Sequence, residues 1–187
     1  MISLLGCSGV GKSSVINELL KLRTDGYVYP ENVGEILLPN SNIVYRNPYD
    51  KFLATQKAFL DRDIEALKGL DSTLLNIFDN RISEYVFYLL HYPEFSRDSE
   101  KSAEKLKAQI EYVLNVRGLK VFYLADDIEN IKLRVKNDPT RSRNSWSYFV
   151  EHMYPYHESW HASHGATIIN IKGRESAEIA KCIFAAL

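Results

Sequence analysis

Gly6-Cys7-Ser8-Gly9-Val10-Gly11-Lys12-Ser13 spells the pattern G-x-x-x-x-G-K-[ST], and it follows at once on the apolar residues 1–5. A strand that runs into such a loop and out into a helix is a phosphate-binding unit. The glycines Gly6, Gly9 and Gly11 let the chain curl so that the N–H groups around Ser8, Val10 and Ser14 point at phosphate oxygens. Lys12 then reaches the outer phosphates, and the Ser13 hydroxyl is a ligand for Mg²⁺. Residues 13–20 carry apolar side chains at helical spacing, so a helix opens here and its N-terminal dipole adds to the attraction. A chance glycine turn would lack this strand-before, helix-after context.

Working outward, strand-like apolar runs recur at 26–29, 73–78, 119–124 and 166–171. Segments of helical periodicity at 12–23, 50–67, 82–90, 99–116, 128–137, 146–163 and 175–186 separate them. That alternation predicts an α/β fold with a largely parallel sheet. There is no internal repeat, low-complexity tract or linker, so a single domain over 1–187 is expected.

The chain has 187 residues, 45% of them hydrophobic and 25% charged, which suits a globular domain with a sizeable core. A net charge of −1 argues against a general nucleic-acid binder, which needs a basic surplus. Its two cysteines, Cys7 and Cys182, lie far apart, and Cys7 sits in the phosphate loop, so a reducing, cytoplasmic setting is expected. No apolar run is long enough for a membrane span, and the first residues read as a phosphate loop rather than a leader peptide.

A phosphate loop fits kinases, GTPases, ATPases and binding modules alike. Neither Asp-x-x-Gly nor Asn-Lys-x-Asp occurs, which places a GTPase switch below a kinase. Asp79 closes the run 74–78 and so falls at the carboxyl edge of a parallel strand, where ligands of open sheets gather and where a carboxylate can hold Mg²⁺. Arg81 is expected at the same edge as a phosphoryl contact, the alternative being a helix cap beside a surface arginine. Glu31, after the strand at 26–29, is placed to take a proton from an attacking hydroxyl, with Glu35 as rival. Arg141 and Arg143, with Arg134 upstream, form a basic cluster at 138–145 that could close as a lid over a transferred phosphoryl group. Gln56 stands in a helix whose apolar stripe includes Phe52, Phe59 and Leu60, and its carboxamide can grip the edge of a base. His157-Glu158-Ser159-Trp160-His161 formally satisfies the zinc-protease pattern H-E-x-x-H. The phosphate loop, the lack of a third-ligand motif and the surrounding aromatics weigh against that chemistry.

Taken together, the chain resembles the deoxynucleoside kinase family, which is related to the thymidylate kinases. The resemblance rests on the loop 6–13, Pro30-Glu31-Asn32-Val33, Asn47-Pro48-Tyr49 through Gln56, Phe78-Asp79-Asn80-Arg81, Arg141-Ser142-Arg143 and Tyr156-His157-Glu158-Ser159-Trp160. It implies a P-loop NTPase fold, a five-stranded parallel sheet flanked by helices with a short arginine lid, using ATP and Mg²⁺. It further implies Glu31 as general base on a sugar 5′-hydroxyl, Gln56 and Phe52 at the base, and Arg141 and Arg143 on the donor phosphates. Ser13 and Asp79 would hold the metal, and dimerisation would run through the helices at 50–67 and 99–116. The pattern departs from the family in three places. Asn80 intervenes between the acid and Arg81; Asn144-Ser145-Trp146 stands where a sugar-contacting glutamate is common; and Asp63, beside Arg62, stands where the family has a base-sensing arginine.

Three functions follow from this reading: a deoxynucleoside kinase, a nucleoside monophosphate kinase in which Arg46 or Arg81 would bind the acceptor's phosphate, and an ATP-binding regulatory protein without transfer.

Overall fold

The computed structural model describes residues 1–33, 36–37, 45–138 and 146–187. Five strands, β1 (Ile2–Leu5), β2 (Gly26–Tyr29), β3 (Leu75–Asp79), β4 (Lys120–Ala125) and β5 (Thr167–Asn170), form one parallel sheet in the order β2-β3-β1-β4-β5. Central β1 is buried along its whole length, as a parallel strand covered on both faces must be. The order reverses direction on either side of β1, so its carboxyl end, where the phosphate loop begins, is the crevice of an open α/β sheet.

The described helices include α1 (Lys12–Leu22), α2 (Pro48–Lys68), α3 (Ser83–His91), α4 (Ser99–Lys105), α5 (Lys107–Leu114), α6 (Ile128–Asn137), α7 (Trp146–His152), α8 (Tyr154–Ser163) and α9 (Ser176–Ala185). One apolar layer joins β1 and β4 to α1 and α9 through Ile2, Leu4, Leu19, Leu124 and Ile183. The other packs Phe78 of β3 against Phe59, Leu60, Val86 and Phe87 of α2 and α3. Each layer removes large aliphatic and aromatic side chains from water, at about 1.5–3 kcal/mol apiece.

Helix α2 begins two residues before the sequence suggests. Asn47 caps it by accepting from the Asp50 N–H at 2.9 Å, and Pro48 takes a first-turn position where its missing N–H costs nothing. The predicted helix at 146–163 is two helices, because Pro155 cannot continue the ladder and the chain breaks at Met153. The segment 99–116 is interrupted at Leu106, yet the bonds Leu106 N–H to Ser102 O and Ile110 N–H to Leu106 O carry the ladder through. A 3₁₀ turn, Pro93–Asp98, stands where no element is expected. Both cysteines are free, Cys7 buried and Cys182 exposed. Among the described residues no helix is long and apolar enough to cross a membrane.

Candidate functional site

The loop between β1 and α1 is built as its glycines require. Gly6 has φ +138°, and a Cβ there would lie 2.7 Å from the Leu124 carbonyl oxygen, so a side chain would push the loop off β4. Gly11, at φ +109°, turns the chain into α1 in a conformation that only glycine adopts without strain. Lys12 lies back along this loop, its Nζ donating to Gly6 O at 2.7 Å. Trp146 of α7 pins the loop from outside, with Nε1–H to Ser8 O at 3.0 Å. Arg134 of α6 does the same from its own side, donating to Val10 O at 3.4 Å while paired with Asp126 at 2.5 Å.

Two cavities open on this edge of the sheet. The smaller, about 260 Å³, is lined by Ser8, Gly9, Gly11, Lys12, Ser13, Ser14, Glu31, Asp79, Arg134 and Asp138. It gathers the loop glycines, the lysine, and the two hard-oxygen side chains expected to hold Mg²⁺, Ser13 and Asp79, a donor set that suits that ion. The larger, about 730 Å³, runs from the loop past Glu31 to an apolar end formed by Phe52, Phe59, Phe95 and Tyr92. Phe52 and Phe95 stack there with centroids 4.5 Å apart. Ser8, Lys12 and Glu31 line both cavities, so the two meet at these residues.

Gln56 lies one helical turn beyond Phe52 on the same face of α2, lines the larger cavity, and is 8% exposed. Its buried Oε1 has no hydrogen-bond partner among the described residues. An amide buried in that state costs stability unless a ligand completes it.

Glu31 follows β2 and accepts from Asn80 Nδ2–H at 2.9 Å. Its backbone is held by Arg62, which donates to Glu31 O at 2.9 Å and to Tyr85 Oη at 2.8 Å. Burial pushes the Glu31 carboxyl above the ordinary glutamate value; Lys12 and the Asn80 amide work against this, and the carboxylates of Glu84 and Asp79 add to it. A carboxyl so poised is a better proton acceptor near neutral pH than a solvated one.

The expectation for Arg81 is overturned. Its guanidinium lines neither cavity and is buried against Asp63, Nε to Oδ1 at 2.7 Å, beside the stacked rings of Tyr29 and Phe78. The cause is local: Asp63, wholly buried, also accepts the Ile82 N–H at 2.7 Å and so holds Ile82 at φ +69°, a strained conformation for a β-branched residue. That twist turns Arg81 inward and leaves Asn80, at φ +52°, facing Glu31. The residue that displaces the arginine in the sequence is the one that reaches the site. Arg46 is exposed and lines neither cavity. Arg141, Arg143 and the rest of the lid after Asp138, like the rival Glu35, lie outside the described residues.

Sequence reading did not single out Asn80, Arg62, Tyr85, Trp146 or Glu84 as functional residues. Glu84 is the most unexpected, since a glutamate in the first turn of a helix ordinarily faces water, yet this one is 1% exposed and lines the larger cavity. Its Oε2 is met by Nε2 of His157 at 2.8 Å and Nε2 of His161 at 3.1 Å. The two histidines of the H-E-x-x-H run do converge on a carboxylate, but it is Glu84 of α3; Glu158 is exposed. Aromatic rings of Phe87, Tyr123, Phe149 and Trp160 enclose the pair.

The loop, the parallel sheet and the crevice above β1 define a P-loop nucleotide-binding fold. The chain belongs to the AAA domain family, whose model matches residues 1–177. No curated protein sequence matches it. Among solved structures it shares its fold with deoxyadenosine kinase from M. mycoides, at TM-score 0.64 and 18% identity over 99% of this chain and 96% of that one. Thymidylate kinase from Candida albicans is similar at TM-score 0.62 and 14% identity, covering 99% and 89%. A tunicamycin resistance protein from Deinococcus radiodurans is similar at TM-score 0.52 and 17% identity, covering 99% and 93%.

Proposed function

We infer that the protein is an ATP-dependent deoxynucleoside kinase, transferring the γ-phosphoryl group of ATP to a 5′-hydroxyl. The observation that carries this reading is the junction of two cavities at Lys12 and Glu31, one built for phosphates and the other for a flat, partly polar molecule. In it the triphosphate lies along the loop amides from Gly6 to Ser14. The acceptor's base is sandwiched near Phe52 and Phe95, with its polar edge on Gln56. Glu31 accepts the hydroxyl proton as the new O–P bond forms and the bond from the γ-phosphorus to the bridging oxygen breaks, releasing ADP, while Lys12 offsets charge on the transferred group. Ser13 and Asp79 would hold Mg²⁺, which supplies charge neutralisation on the phosphates. Holding both reactants at one point converts a bimolecular encounter into a positioned one, and that alone removes several kcal/mol of barrier. The lid arginines Arg141 and Arg143 join the donor phosphates in this reading.

A nucleoside over a monophosphate acceptor is favoured by the charges present. Along the larger cavity the described residues offer Glu31, Glu84 and Glu94 against Lys12 and Lys51, and the two arginines considered for an acceptor phosphate, Arg46 and Arg81, are not there. The purified protein, given ATP and Mg²⁺ with a panel of deoxynucleosides and their 5′-monophosphates, is expected to phosphorylate members of the first set. Product only from the monophosphates would make it a nucleotide kinase. ATP binding with no product from either set would make it a regulatory ATP-binding protein.

A further inference from the structure

Glu84 is not needed for the transfer step described above, yet the fold spends a buried histidine pair on it. Tyr123 Oη lies 3.0 Å from His157 Nδ1, and burial keeps that phenol protonated, so it donates and leaves His157 with its proton on Nε2. That N–H then donates to Glu84 Oε2. His161 donates to the same oxygen from Nε2, with Ser83 Oγ at 3.4 Å from its Nδ1. Burial opposes the charge on Glu84, but His157 and then His161 outweigh it and hold the carboxyl well below the ordinary glutamate range.

Glutamate and two histidines whose donor atoms lie within 4.8 Å are also the set of a metal site. The 2.8 and 3.1 Å separations are those of N–H···O bonds, and the ordered chain from the Tyr123 hydroxyl through His157 to Glu84 accounts for them without an ion. What results is a fixed anion held through Oε2 by two imidazoles, on a side chain that lines the larger cavity. It shares the lining of that cavity with Gly6, Cys7 and Glu31.

We propose that Glu84 is a specificity-determining residue, a histidine-held carboxylate that accepts a hydrogen bond from a neutral hydroxyl of the acceptor and repels an acceptor already bearing a phosphate. This assignment rests on the kinase reading of the cavity and names the side chain that chooses between its two acceptor classes. Two unit charges a few ångströms apart in a protein interior interact strongly enough to change affinity by about tenfold or more. Glutamine at the same position keeps the shape and an oxygen for the imidazole N–H groups while removing the charge.

The test is calorimetric binding of a deoxynucleoside, its 5′-monophosphate and a neutral 5′-sulfamate isostere to wild type and Glu84→Gln, each checked for fold by circular dichroism. Wild type is expected to bind the monophosphate at least about tenfold more weakly than the deoxynucleoside and the neutral isostere. Glu84→Gln is expected to narrow that gap by about tenfold, chiefly by tightening the monophosphate. An unchanged gap in a folded variant overturns the role of Glu84 and leaves the kinase reading standing. Should the variant not fold, the wild-type series decides: rejection of monophosphate and isostere alike means exclusion by size and overturns the proposal. Wild type that binds none of the three overturns the kinase reading and the proposal with it.

Discussion

Replacing Glu31 by glutamine lowers turnover by about 10²–10⁴-fold, the usual worth of a positioned general base, and leaves ATP affinity unchanged. The substitution keeps an oxygen for the Asn80 amide, which now donates at 2.9 Å, and keeps the backbone that Arg62 clamps, so the loop should not move. Only the capacity to take a proton is lost. The pH dependence gives a second readout of the same change. Because burial raises the Glu31 carboxyl, the acid limb of kcat/KM should lie above the ordinary glutamate value, activity being present above that limb and lost as pH falls through it. In the Gln variant that limb disappears from the residual rate. Initial rates across pH, beside calorimetric ATP binding, check both; undiminished turnover would remove Glu31 from the role.

Replacing Lys12 by alanine should cost about 10²–10³-fold in turnover, the range seen when one preorganised donor to a transition-state oxyanion is deleted. Unlike the change at Glu31, it should also weaken ATP. The ammonium donates to Gly6 O at 2.7 Å, and in the proposed reaction it would exchange that carbonyl for phosphate oxygens. The exchange trades a neutral acceptor for an anionic one, and charge-assisted bonds of this kind contribute about 1.5–3 kcal/mol. Arginine is not expected to rescue the variant, since its planar fork differs in reach and shape from a point-like ammonium in a close-fitting loop. Rates and ATP titrations on Lys12→Ala and Lys12→Arg test this; full activity in either contradicts the account.

The sheet and the phosphate loop were legible in the sequence because both are written locally. An apolar run, three glycines, a lysine and a hydroxyl residue suffice to fix strand, turn and helix, and the alternation of runs fixes a parallel sheet. The cavity's apolar end was half legible: Phe52 and Gln56 fall on one helical face, whereas Phe95 comes from a 3₁₀ turn with no periodic signal. The fate of Arg81 was hidden, because it depends on Ile82 taking a left-handed conformation that its β-branched side chain disfavours and on a buried acceptor 18 residues away. Pro155 does announce the break before α8, since its ring cannot sit inside a continuous helix. Glu84 was hidden for a different reason. His157 and His161 share a helix face, which is visible in the sequence, but their partner lies 73 and 77 residues from them, while the adjacent Glu158 offers the eye a wrong one.

The proposed transfer requires donor and acceptor to occupy adjoining cavities that share Lys12 and Glu31. The most direct test is the affinity of a bisubstrate analogue, adenosine joined 5′-to-5′ through a polyphosphate to a deoxynucleoside, measured against ATP and the deoxynucleoside alone. Two engaged sites should make the analogue bind about 10²–10⁴-fold more tightly than either part. An analogue that binds no better than its tighter half would mean that the two cavities are not filled together, and would contradict the account.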